Sequence, residues 1–304
     1  MTKIPILNIK QFEAPKVLKD VYCNTLDAHF KNNAQLIHQP HKHDFYLCVL
    51  FENGKGIHTI DFNSYPIAAG SVFFLKPGQT HFWKFDTPPK GYIIFHTPEF
   101  YNAHFQHKDT KNYDFYATQN PPHLILKQSE STAIAIYFKL LYHEYIQNLK
   151  HKRQKLANLI DTLYIDLARE YQNTIALPVH QSPVYLKTID TFEATIETHY
   201  KTEKTVRFYA SQLNITTKHL NRITKQTLNK TAIQLINERV ILEAKRLLSY
   251  NKMPLKDIAI ALGYEDYAYF SKRFKQSTTV SPLAFQKKHN FKNLLNRNIS
   301  EFQP

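Results

Sequence analysis

The sequence predicts an α+β protein of two domains, an antiparallel β-barrel with helices followed by an all-α domain. Three observations carry that expectation. Short runs rich in β-branched and aromatic residues crowd the stretch from about Leu36 to Thr97. Helical periodicity takes over near Ser129. The last hundred residues then write one pattern twice: a short helix with a buried alanine, a tight turn, and a second amphipathic helix. The expected boundaries are a first domain over 1–172, a linker over 173–184, a helical domain over 185–290 and a tail over 291–304.

Residues 1–35 read as an arm and a leading strand or two. The strands that follow are Phe45–Phe51, Gly56–Phe62, Ser71–Leu75 and Gly91–Phe95, separated by Asn53-Gly54, Ala69-Gly70, Pro77-Gly78 and Pro88-Pro89. A helix starts near Ser129 and carries Ile134, Phe138, Leu141 and Tyr142 on one side. A clearer helix, 153–170, repeats Leu156, Leu159, Ile160, Leu163, Tyr164 and Leu167 at three- and four-residue steps. That stripe packs on the barrel or pairs with a second subunit to give a homodimer, and one stripe can serve both. Pro178 and Pro183, with Gln181 and Ser182, mark the linker.

The first copy of the repeat runs Val206, Ala210, Leu213, Asn214, Ile215, Leu220, Ile223, and the second Leu255, Ala259, Leu262, Gly263, Tyr264, Phe270, Phe274. In each, a small residue lets two helices cross closely, and Asn214 or Gly263 tolerates positive φ at the turn. Thr205 and Thr216 are placed to cap the helices of the first unit, the second of which spans about Thr217–Leu228; Pro254 and Asp266 start those of the second. With Leu220 and Ile223 inward, the outward residues are Thr217, Lys218, Asn221, Arg222 and Lys225. Arginine grips guanine through two hydrogen bonds and asparagine does the same with adenine, while lysine and threonine reach phosphates or base edges. In the second unit, Tyr267, Ala268, Ser271, Lys272 and Lys275 stay outward, and its Tyr and Ala suit thymine methyls. A long helix through Ile233, Ile236, Val240, Ala244, Leu247 and Leu248 spaces the two readers.

Charge supports double-stranded DNA as the partner. Residues 185–304 hold 20 Lys+Arg against 10 Asp+Glu, a net of +10, whereas residues 1–184 carry only +4 of the total +14. Cys23 and Cys48 are the only cysteines, which excludes a disulfide framework and favours a reducing compartment. No apolar run has the length of a signal peptide or a membrane span, so a cytoplasmic location is expected. No serine sits in a nucleophile-elbow context, and the expectation is a protein that is not an enzyme.

At these same residues the chain resembles the AraC/XylS family of transcription regulators. The likeness runs over about 185–288 and rests on Ala259-Ile260-Ala261-Leu262-Gly263-Tyr264-Glu265-Asp266, Tyr269-Phe270-Ser271-Lys272-Arg273-Phe274-Lys275 and Ser281-Pro282-Leu283-Ala284-Phe285. It implies base-facing positions at Lys218, Asn221 and Arg222 and at Tyr267, Ala268, Ser271 and Lys272. Thr279 and Asn229 stand where glycine is usual, and Gln286 where a basic residue is common. A β-branched Thr279 resists positive φ, which predicts an altered turn before Ser281.

The front half resembles the cupin-like sensory barrel that accompanies this module, through His41-Lys42-His43, Asn53-Gly54-Lys55-Gly56 and Gly70 followed by Pro77-Gly78-Gln79-Thr80-His81. The resemblance implies an effector pocket lined by His41, His43 and His81. Tyr46, His58, Trp83 and Phe95 are candidates to join them, because small-molecule sites combine aromatic faces with a few polar groups. Where metal cupins place a glutamate this chain has apolar Leu47 or Cys48, so no metal and no cofactor is assigned, although three imidazoles make a chemically reasonable open site for Zn or Fe. The expected function is a sequence-specific DNA-binding regulator, a small-molecule-responsive activator with RNA polymerase as a further partner. Two alternatives stand beside it: a DNA-binding regulator without an effector, and a metal-dependent cupin enzyme with a basic tail.

Overall fold

The computed structural model describes residues 4–12, 18–37, 39–105, 110, 113–117, 120–174, 182–250 and 253–289. The chain divides into two compact units, Pro5–Leu177 and one formed chiefly by Pro178–Pro304. Of the expected linker, 175–181 lies outside the described residues, as does the tail 291–304. Among the described residues no helix is long and apolar enough to cross a membrane.

The first unit is built on two long antiparallel strands, β4 (Tyr46–Ile60) and β7 (His81–His96). Around them lie β2 (Val21–Thr25), β5 (Asn63–Ile67), β6 (Ser71–Leu75) and β8 (His123–Ile125), in the order β2-β7-β4-β6-β8 with β5 beside β4. A separate pair, β1 (Ile6–Leu7) and β3 (Lys42–His43), runs parallel. Two expected separators fall inside strands. Asn53-Gly54 and Pro88-Pro89 face each other where the β4–β7 register shifts, pairing resuming at Asn53 with Lys90 and at Lys55 with Thr87. Proline needs no ladder partner at such an irregularity, so the strand passes through instead of ending. Gly91, at φ 143°, brings β7 so near β4 that a Cβ there would lie 2.0 Å from the Leu50 carbonyl oxygen.

Both faces of this sheet are buried, so the strands read as continuous apolar runs, but their period of two still separates two cores. Phe45, Leu47, Val49 and Phe51 point inward with Phe73, Leu75, Ile93 and Phe95. Tyr46, Cys48 and Leu50 point outward with Val72, Phe74 and Ile94, onto α3 (Gln128–Ile146) and α4 (Lys152–Thr174). The stripe of α4 is spent on this second core: Leu156, Ile160, Leu163, Tyr164 and Leu167 are wholly buried and Leu159 packs against them. The residues expected to carry a homodimer through helix 153–170 already cover the sheet within one chain. Helix α1 (Leu26–Ile37) was not foreseen, and α2 (Pro98–His104) follows β7, capped by Thr97 Oγ1, which accepts from the Phe100 amide at 3.1 Å.

Among the described residues the second unit is all helix: α5 (Pro183–His199), α6 (Val206–Gln212), α7 (Thr217–Leu228), α8 (Ala232–Tyr250), α9 (Leu255–Ala261), α10 (Tyr267–Thr278) and α11 (Pro282–His289). The repeat in sequence is a repeat in hydrogen bonds. Ile215 donates its amide to the Ala210 carbonyl and Tyr264 to that of Ala259, both at 3.0 Å, across turns whose φ is 54° at Asn214 and 74° at Gly263. A Cβ on Gly263 would lie 1.7 Å from the Lys201 carbonyl oxygen, so this turn admits no other residue without displacement. Ala210 and Ala259 are buried where the paired helices cross, and α8 keeps Ile236, Val240, Ala244 and Leu248 inward between the two units. Arg239 on α8 grips Glu197 on α5 with two bonds of 2.6 and 2.8 Å, which fixes the leading helix to the spacer.

Candidate functional site

Local signals place α7, the second helix of the first repeated pair. Thr216 Oγ1 accepts the His219 amide at 3.1 Å to start α7, and Asn229 in the left-handed region at φ 52° ends it. Leu220, Ile223, Thr224 and Thr227 are buried, which leaves Thr217, Lys218, Arg222 and Lys225 exposed in one band. Asn221 is different. Its amide donates to the Thr217 carbonyl at 3.0 Å, and its Oδ1 accepts the Ala232 amide at 3.1 Å. Only Oδ1 ties α7 to the first turn of α8, where the Ala232 N–H needs an acceptor, whereas the bond from the amide nitrogen stays within α7. Sequence reasoning passed over His219, whose Nδ1 lies 2.8 Å from Arg222 Nη2 and accepts from that guanidinium. It steadies the arginine on the exposed side of the helix.

In the second unit Asp266 starts α10 by accepting the amides of Ala268 and Tyr269 at 3.0 and 2.9 Å. Ala268, Lys272 and Lys275 are exposed and Tyr267 and Ser271 half-buried, so the expected face exists. Tyr269, 56% exposed, belongs to the same surface and was missed because its i, i+3, i+4 spacing assigns it to neither side cleanly. The predicted distortion before Ser281 does not occur. Thr279 takes φ 66° and donates its amide to the Lys275 carbonyl at 2.8 Å, as Asn229 does to Lys225 at 3.0 Å. The turn keeps its geometry and threonine carries the strain.

The barrel brings five of the seven expected effector residues into one cluster. His41, His43, His58, His81 and Trp83 are all buried, with ring centroids 4.4 Å apart for His41 and His81, 4.6 Å for His43 and His81, and 4.9 Å for His58 and Trp83. Phe95 lines the floor, 5.8 Å from His43 and 4.4 Å from Phe45. Tyr46 is corrected. It stands on the opposite face of β4, stacked on His96 at 5.4 Å and edge-on to Tyr116 at 4.8 Å. Sequence reasoning also missed Phe12, whose ring lies 5.0 Å from Phe95 and 5.9 Å from Phe45; an isolated aromatic in an arm gives no periodic signal.

Burial holds every imidazole of the cluster in its neutral form. His41 is lowered to about 4 by burial, against an opposing hydrogen bond to the Gln39 carbonyl. His43, His58 and His81 are pushed well below the ordinary histidine value by burial and by one another. Several polar atoms here have no hydrogen-bond partner: His41 Nε2, His58 Nδ1, Thr80 Oγ1 and Trp83 Nε1. Buried polar atoms are paired as a rule, so these four stand out within the cluster.

Comparison with known proteins matches both units. A helix-turn-helix domain model covers residues 209–288, and an AraC-like ligand binding domain model covers residues 25–101. The HTH-type transcriptional activator RhaS of Escherichia coli O81 (strain ED1a) is 22% identical over 261 residues, spanning 80% of this chain and 85% of its own. The HTH-type transcriptional activator RhaR of Escherichia coli (strain K12) is 23% identical over 243 residues, with 80% and 84% covered. The solved structure of ToxT from Vibrio cholerae aligns over 88% of this chain and 98% of its own, at 11% identity and a TM-score of 0.42. With the ligand-binding model on the barrel and the helix-turn-helix model on the repeated helical pairs, the chain belongs to the AraC/XylS family of transcription regulators.

Proposed function

We propose that this chain activates transcription by gripping promoter DNA with α7 and α10 while a small polar molecule in the barrel sets its activity. The observation that carries the DNA half is the exposed band Thr217, Lys218, Arg222 and Lys225 on a helix whose other side is fully packed. Arg222 is the residue assigned to a base, since its guanidinium is exposed and already oriented by His219. Lys218, Lys225, Lys272 and Lys275 are assigned to phosphates and base edges, and Tyr267, Ala268 and Ser271 to the neighbouring groove surface. The two copies are unequal. Glu265 and Asp266 stand at the start of α10, whereas no acidic residue lies at the start of α7, so α7 is the stronger partner for a polyanion.

Activation rather than repression is favoured because RhaS and RhaR are named as activators, and RNA polymerase is then the partner that receives the signal. The same relatives, named as transcriptional activators, support a non-catalytic role in the cytoplasm. A small-molecule effector is supported by the orphaned polar atoms around Trp83 and His58. The decisive experiment selects bound fragments from a random duplex pool with the full-length protein. A two-part site with its halves about one helical turn, roughly 34 Å, apart is expected. Recovery of unrelated sequences would reduce the helical domain to a charge-driven polyanion binder. A screen of polar small molecules for an upward shift in melting temperature tests the sensory half, because a ligand that binds only the folded barrel stabilises it by mass action.

A further inference from the structure

We propose that the barrel holds one divalent transition-metal ion of the zinc class between His41, His43 and His81. Each ring offers a nitrogen, and the three lie within 4.8 Å of one another. His43 Nε2 and His81 Nε2 face each other at 3.3 Å. Two ligands on a tetrahedral ion with Zn–N bonds of about 2.0–2.1 Å are separated by about 3.3 Å, so this pair already spans one edge of such a site. The wider gaps close by small rotations of the imidazoles about their side-chain torsions.

The hydrogen bonds around the rings select the atoms that bind. His41 Nδ1 lies 2.8 Å from the Gln39 carbonyl, which accepts only, so Nδ1 carries the proton and Nε2 is a bare lone pair. That lone pair is buried and has no partner. His81 Nδ1 lies 2.9 Å from His58 Nε2. Donating its proton to His58 frees His81 Nε2 for the ion, the arrangement in which a ligating histidine is oriented through its other ring nitrogen. Paired backbone bonds between His41 and His81, at 3.1 and 2.9 Å, hold their two chain segments in register.

Imidazole nitrogens suit zinc, copper, iron and nickel, and the absence of a carboxylate from the set disfavours magnesium and calcium. Three protein ligands leave the fourth tetrahedral position open. His41 precedes and His43 belongs to the short strand β3, which pairs with β1 of the N-terminal arm, and His81 begins β7. A bound ion therefore fastens the arm-bearing segment to the barrel wall. This inference stands apart from the DNA reading: a protein that never met DNA would bind the ion equally well.

The test uses the full-length chain stripped with a chelator and titrated with Zn2+ and Co2+. One ion per chain is expected, with the intense visible bands of four-coordinate Co2+ and a rise in melting temperature on zinc addition. His58→Gln should weaken uptake by about 10–100-fold, as loss of an orienting partner does, and His41→Ala should abolish stoichiometric binding. Because His41 is buried, His41→Gln serves if circular dichroism shows the alanine variant unfolded. His143, exposed on α3, gives the control His143→Ala, which should bind as the parent does. Failure of the folded parent to take up Co2+, or equal uptake by a folded His41 variant, would overturn the assignment.

Discussion

At the scale of single residues, three side chains carry sharply different demands. Arg222 is exposed and steadied by His219, so Arg222→Ala should cost about 1–3 kcal/mol on a selected operator and relax choice at one base pair. Binding isotherms on matched and scrambled duplexes decide it: equal weakening on both makes Arg222 a phosphate contact. Thr279 sits at φ 66°, a conformation that costs an L-residue roughly 1–2 kcal/mol and a β-branched one at least that. Thr279→Gly should raise the unfolding free energy of the helical domain by about 1 kcal/mol, read by urea titration, with DNA affinity unchanged. His96 is wholly buried between the Thr97 carbonyl at 3.0 Å and the Tyr164 hydroxyl at 2.9 Å, and burial lowers it to about 4. The unfolded chain then takes up the proton first. Stability present above about pH 6.5 is lost as pH falls towards 4, by about 1.4 kcal/mol per unit for each such histidine. His29, lowered to about 3, shares the window. His96→Gln should remove one proton's worth of that slope in denaturation curves taken between pH 7 and 4.

Elements differ in how much their own sequence says. The bounds of α7 coincide with the expected Thr217–Leu228 because each signal is local: a threonine cap, a residue tolerant of positive φ, and an apolar face at helical spacing. The strands of the barrel are less self-contained. Asn53-Gly54 and Pro88-Pro89 look like ends, and only the partner strand shows that each lies in a register shift of one longer strand. The site suffered from the same dependence. Tyr46 and Phe95 are both aromatic residues in apolar runs, and nothing in either run tells which parity faces inward until the sheet is covered on both sides. The bond that Asn221 accepts from the Ala232 amide was not legible in its own run, because it depends on where the next helix begins. For α4 the buried stripe makes a firm expectation. Leu163→Ala should cost about 2–5 kcal/mol of stability while leaving the sedimentation of the folded protein unchanged. Conversion of a dimer to a stable folded monomer would return the stripe to an interface.

For the whole molecule, charge and burial divide the labour. The excess of basic residues lies in the half that carries the repeated helical pairs, and the clustered buried imidazoles lie in the other. DNA affinity should accordingly fall steeply with salt, in proportion to the number of phosphates met, whereas occupancy of the barrel should be nearly indifferent to it. The parity of β4 adds a last consequence. Leu47 faces the barrel floor and its neighbour Cys48 faces α4, one peptide unit apart, and the same alternation continues through Val49 and Leu50. Whatever crowds or tightens the inner lining must therefore be felt on the far side of a sheet only one residue thick. The inner wall of the barrel is also the seat of the helix outside it, so a molecule bound against the one would bear on the other.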